Sequence, residues 1–78
     1  MTDSVILTFY GHLPPHSFSD FARHRAARLS LALHLIDQQP NLSRMRVSGP
    51  ADLVDAFEMA LSLGPQDCLV RDVARRSA

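Results

Sequence analysis

A chain of 78 residues that is 46% apolar and 21% charged suits one small globular domain and excludes a disordered polypeptide. Eight acidic residues balance eight basic ones, all of them Arg. A neutral chain lacks the long-range field that nucleic acid or an anionic membrane would select. Cys68 is the single cysteine, which excludes an internal disulfide framework and a thiolate metal cluster within the chain.

The chain does not open on a basic start followed by a long apolar stretch. No apolar run approaches the roughly 20 residues a bilayer-spanning helix needs, so the expected setting is the reducing cytoplasm. Val5-Ile6-Leu7-Thr8-Phe9-Tyr10 is a β-rich, nearly continuous apolar run that ends at Gly11; it reads as a buried first strand. Gly11 to Ser17 follows as a loop with two prolines and two histidines. Ser17-Phe18-Ser19-Asp20 has the pattern of a capping box, with Asp in the usual Glu place. Phe18, Phe21, Ala22, Ala26 and Leu29 then recur at helical spacing beside Arg23, His24 and Arg28, which predicts an amphipathic helix with basic residues toward its negative end.

Leu31 to Ile36 fits either a helical extension or a strand. Pro40-Asn41 marks a turn. Beyond it Met45 and Val47 alternate with Arg44 and Arg46, the pattern of a half-buried strand with one wet face. Pairing residues 43–48 with 33–37 makes a hairpin. Gly49-Pro50 opens a second helix with Leu53, Val54, Phe57, Ala60 and Leu61 as its apolar stripe and Asp52, Asp55 and Glu58 toward its positive end. Gly64-Pro65 stops it. Cys68-Leu69-Val70 and Val73 form a last strand, with Cys68 read as a small core residue, and Arg75 to Ala78 reads as a frayed tail. The order strand, helix, strand, strand, helix, strand predicts an α+β, ferredoxin-like βαββαβ sandwich: a four-stranded antiparallel sheet with two helices on one face. We expect one domain over 1–78, ordered from about residue 4 to 74.

Several landmarks keep a joint spacing without a gap from Gly11 to Pro65. Gly11 ends strand one; Leu13, Phe18, Phe21, Ala26, Leu29 and Leu31 occupy the loop and first helix. Gly49, Phe57 and Leu61 mark the second helix, Gly64-Pro65 ends it, and Val70 and Val73 lie in the last strand. This arrangement resembles the acylphosphatase family over nearly the whole chain. The resemblance implies the ferredoxin-like fold, an anion-binding loop over 11–19, and two catalytic positions. Where the family places its phosphate-binding Arg, this chain has Ser19. Where it places the Asn that positions water, this chain has Asp37. The loop's Gln-Gly becomes Pro14-Pro15, and the glycine before its Phe becomes Ser17.

These replacements act against phosphate chemistry. A phosphate cradle combines backbone N–H groups, a helix N-terminus and a bidentate guanidinium. Two prolines remove two amide donors. Ser19 carries no charge, and Asp37 adds one of the wrong sign. Loss of a single well-placed donor typically costs on the order of 100-fold to 1000-fold in rate. The leading reading is therefore a catalytically inactive acylphosphatase-like domain that serves as a binding or interaction module.

Two alternatives remain open. One is an active acyl phosphate hydrolase with relocated anion-binding residues, for which His12, His16, Ser17, Phe18 and Arg23 are the candidates. No recognisable metal-ligand set is completed around His12 and His16 in sequence, and no cofactor is implied. The other is a regulatory ligand-binding or RNA-binding module of the same topology, using Phe9 or Tyr10 and Arg44 with Arg46 on the sheet. The expected ligand is phosphate or another small anion at the 11–19 loop. Nucleic acid and membrane are not expected partners, and the chain is read as a monomer or an edge-strand homodimer.

Overall fold

Alternation explains the centre of the molecule. Val5, Leu7 and Phe9 point one way and are buried, while Ile6 and Tyr10 point the other way. In the computed structural model, which describes residues 2–78, this run lies within β1 (Thr2–His12). It is followed by α1 (Pro15–Arg28), β2 (Ala32–Gln39), β3 (Leu42–Pro50), α2 (Ala51–Leu63) and β4 (Leu69–Ser77). The sheet order is β2-β3-β1-β4, and every neighbouring pair is antiparallel. Both helices pack on the same side, where Phe18, Ala22 and Ala26 of α1 and Val54, Phe57 and Leu61 of α2 bury against Leu7, Phe9, Met45 and Val47. The expected βαββαβ sandwich is what forms.

The segment after α1 is a strand. Ser30 takes a left-handed conformation (φ 56°), which ends the helix, and the Leu31 amide donates back to the Ala26 carbonyl (2.8 Å). Leu33 and Leu35 then face the core, while Ala32, His34 and Ile36 are exposed. A bulge lies between Leu35 and Asp37, so Asp37 pairs with Arg44. Bulges of this kind re-aim the side chains that follow them.

Three local expectations are corrected. The helix begins at Pro15, its N-cap is Pro14, and no side chain caps it; Ser17 lies inside the first turn and forms no capping box. Pro14 and Pro15 both supply the fixed φ that a helix start requires. The segment from Arg75 onward is no frayed tail, because β4 runs to Ser77 and pairs with β1 through Val5↔Ser77, Ile6↔Arg76 and Leu7↔Arg75. Arg75 is further fixed by Asp55 and Glu58 of α2, at 2.7 and 3.0 Å. Cys68 is only half-buried, packed against the edge of the core. α2 starts at Ala51, and Gly64 (φ 66°) ends it, as its terminator pattern predicts.

Candidate functional site

The 11–19 segment is held from both sides. At Gly11 the β1–β4 pairing slips by one residue. The backbone there has φ 154°, and a Cβ would collide with the Leu69 carbonyl oxygen, so only glycine fits. The Gly11 amide donates to the Asn41 carbonyl (3.3 Å), and the Leu13 amide donates to that of Pro40 (2.7 Å). These two bonds stitch the loop to the β2–β3 turn. Leu13 is fully buried, so the loop is also anchored from below.

In an anion cradle these amides would face the ligand; here two are occupied by carbonyls. Pro14 and Pro15 have no N–H. Phe18 donates its amide to the Pro14 carbonyl (3.0 Å), as the fourth residue of a helix does. That leaves His16 and Ser17 as the first-turn amides without an intrahelical acceptor.

The side chains are committed as well. Phe18 is fully buried and meets Phe9 edge-on, with ring centroids 5.3 Å apart, so it is a core residue. Ser19 is 7% exposed. Its hydroxyl donates back into its own helix, to the carbonyls of Pro15 (2.6 Å) and His16 (3.3 Å). A serine bonded this way has no proton left for an anion. Arg23 is exposed and pairs with Asp20 at 3.2 Å, one turn from the loop. His12 and His16 are exposed, and among the described residues no group of His, Cys, Asp and Glu could hold a metal ion.

Ser19 and Asp37 do not bond to one another. Asp37 is cross-strand from Arg44, and the Arg44 Nε donates to Thr8 Oγ1 (3.3 Å). Thr8 alternates with the buried Leu7 and Phe9, so register puts Asp37 and Arg44 on the sheet face away from the helices. Gln39 Nε2 donates to the Asp37 carboxylate (3.0 Å). Gln38 takes the inward place, accepting from the buried Ser43 hydroxyl (2.7 Å).

One residue at the loop escaped the sequence reading. Asp67, from the α2–β4 connection, accepts the Ser17 hydroxyl at 2.8 Å, which brings a carboxylate to the first turn of α1. Its neighbour Cys68 has its thiol pKa raised, first by burial and then by the charge of Asp67. Fifty residues separate Ser17 from Asp67, and no local pattern marks such a contact. Two surface pockets lie elsewhere: one is lined by Asp55, Glu58, Met59, Ser62 and Arg75, the other lies between α1 and α2. No helix of the described residues is long and apolar enough to cross a membrane.

The sequence matches no protein-family model and no curated protein. The structure, by contrast, superposes on solved acylphosphatases. Against the crystal structure of acylphosphatase from Bacillus subtilis the TM-score is 0.88 at 18% identity, covering 100% of this chain and 86% of that one. Against an acylphosphatase from Coxiella burnetii it is 0.89 at 18% identity, covering 99% and 81%. This chain has an acylphosphatase-like fold. A similar fold occurs within a larger protein: full-length HypF, in a phosphate- and nucleotide-bound form, matches with TM-score 0.86 and 15% identity, covering 100% of this chain and 10% of that one. An acylphosphatase-like backbone is therefore present beneath a loop whose Ser17 and Ser19 hydroxyls are bonded within the chain.

Proposed function

We propose that this acylphosphatase-like domain is catalytically silent and works as a binding module. The observation that carries the reading is the Ser19 hydroxyl, at the position matching the family's phosphate-binding Arg, which is spent on the Pro15 carbonyl at 2.6 Å. Nearby features support it. Two prolines lack amide donors, two loop amides are bonded to the β2–β3 turn, and Asp67 sets a negative charge beside the first turn. A phosphate dianion would meet repulsion where catalysis needs its charge stabilised.

Hydrolysis of benzoyl phosphate tests this. The wild-type chain should add nothing to the buffer rate. Ser19→Arg with Asp37→Asn and Asp67→Asn, in a loop also changed by Pro14→Gln and Pro15→Gly, should bring a measurable rate. Side chains on a helix lean toward its N-terminus, so an arginine at 19 would lie over the first turn, where Ser19 already points. Wild-type turnover above the buffer rate would refute the proposal.

A second reading is favoured by one feature of the sheet. His34, Arg46, Ile6 and Arg76 are successive cross-strand partners, so three basic residues form a row across the face away from the helices. Arg44 lies one row along, and Tyr10 is exposed on the same face. None of Arg44, Arg46 or Arg76 is ion-paired among the described residues. Such a row suits a single-stranded polyanion. Fluorescence anisotropy with a labelled single-stranded RNA would show binding whose log K falls with log salt at a slope near −2 for about three phosphates neutralised. A slope near zero, or no binding at low salt, removes this reading.

A further inference from the structure

We infer that the outer surface of the two helices is the contact by which two copies of this chain pair. Four large side chains remain half-buried or exposed where α1 meets solvent beside α2. Met59 and Leu63 are 70% and 81% exposed, the highest values among the exposed large hydrophobic residues. With Phe21, Ala56, Ala60 and Arg25 they line one open groove. Arg25 lies over the Phe21 ring, 5.4 Å from its centroid. Exposed apolar surface gathered in one groove costs solubility unless something covers it.

Charge selects the occupant. On α1 stand Arg23, Arg25 and Arg28, of which Arg23 is already paired with Asp20; on α2 stand Asp52, Asp55 and Glu58, of which the last two already share Arg75 of β4, so among the described residues the charges left over are Arg25 and Arg28 on one helix and Asp52 on the other. The helix layer is thus basic along one half and acidic along the other, with an apolar seam between. A two-fold axis running along that seam stacks α1 of each copy over α2 of its partner. Every basic stretch then meets an acidic one, and the two apolar seams meet at the axis, as an isologous contact requires. The alternative axis, across the helices, would set α1 on α1 and α2 on α2, like charge on like. A neutral chain raises no net repulsion against its own copy. The longer extents of 33 and 22 Å give the broad side of the molecule a projected area of about 700 Å², the same order as the roughly 800 Å² of surface each partner buries in a standard interface. The pairing leaves both open sheet faces, and both 11–19 loops, outside the contact.

Sedimentation equilibrium of the full chain between about 10 μM and 1 mM tests the inference. The mass should rise with concentration toward twice 8.7 kDa. Raising salt from 50 to 500 mM should weaken association at least threefold. Met59→Lys with Leu63→Gln changes two exposed positions, and the new Lys at 59 follows Asp55 by one turn, which favours the helix; this variant should keep its circular dichroism and stay monomeric throughout. Arg25→Glu with Arg28→Glu should weaken self-association at least tenfold, and mixing it with Asp52→Arg copies should recover dimer. A monomer at 1 mM overturns the inference. So does a dimer that survives Met59→Lys with Leu63→Gln, since that result places the contact elsewhere, as at an edge strand.

Discussion

The carboxylate of Asp67 gives the sharpest handle on the loop. Asp67→Asn removes its charge while leaving a carbonyl oxygen that can accept the Ser17 hydroxyl. The 2.8 Å contact with Ser17 Oγ fixes the carboxylate within one short side chain of the first-turn amides of α1. An anion seated on the His16 and Ser17 amides would therefore lie near that carboxylate. Two unit charges 4 Å apart repel by about 1 kcal/mol in bulk water and about 4 kcal/mol at an effective dielectric of 20. Asp67 is exposed, so the lower figure governs, with salt screening reducing it and the second charge of phosphate raising it. A gain of about 1–1.5 kcal/mol corresponds to roughly 5- to 12-fold tighter phosphate binding. The assay is a phosphate titration at fixed ionic strength, followed through the amide resonances of His16 and Ser17. Affinities of wild type and Asp67→Asn within twofold of each other would refute the reasoning and show that the carboxylate does not guard the turn.

Other perturbations probe the frame of the site. Phe18→Ala empties a fully buried place and removes the edge-on contact with Phe9. The expected loss is about 3–5 kcal/mol, a large share of the roughly 4–12 kcal/mol such a chain commands, and urea denaturation should show it against a milder Phe18→Leu. Gly11→Ala drives a Cβ into the Leu69 carbonyl at a positive φ; the β1–β4 pairing must open, and amide exchange at Leu69 to Arg71 should quicken while that of β2 and β3 changes little. Cys68 should alkylate slowly at neutral pH. Its raised pKa, caused first by burial and then by Asp67, lowers the thiolate fraction at any pH below that pKa. Its rate should keep climbing past the pH at which a free cysteine levels off, and Asp67→Asn should move the midpoint down.

Periodicity made most of the architecture legible. The apolar run at 5–10, alternation in 43–48, helical spacing in 18–29 and 53–61, and the Gly64-Pro65 stop each report a local geometry set by residues close in sequence. The spacing of Gly11, Phe18, Gly49, Phe57 and Gly64 carried the fold further, since those positions answer to local needs as well: a slip in pairing, a buried ring, a helix end. The absence of an arginine at 19 and of an asparagine at 37 could also be read directly, because each is a matter of residue type.

Long-range contact decided the rest. Residues 31–36 have apolar side chains that suit a helix or a strand, and the left-handed Ser30 together with pairing to β3 selects the strand. Arg75 to Ser77 look like a polar tail until β1 offers them partners and α2 offers Arg75 two carboxylates. The bulge before Asp37 turns that residue to the outer face through a slip of one residue, which no composition announces. Asp67 reaches Ser17 only because α2 returns the chain to the start of α1. Local sequence sets which way each side chain faces within its own element. Which groups meet at the loop, and whether they attract or repel an anion there, depends on segments fifty residues apart that only the packed sheet and helices bring together.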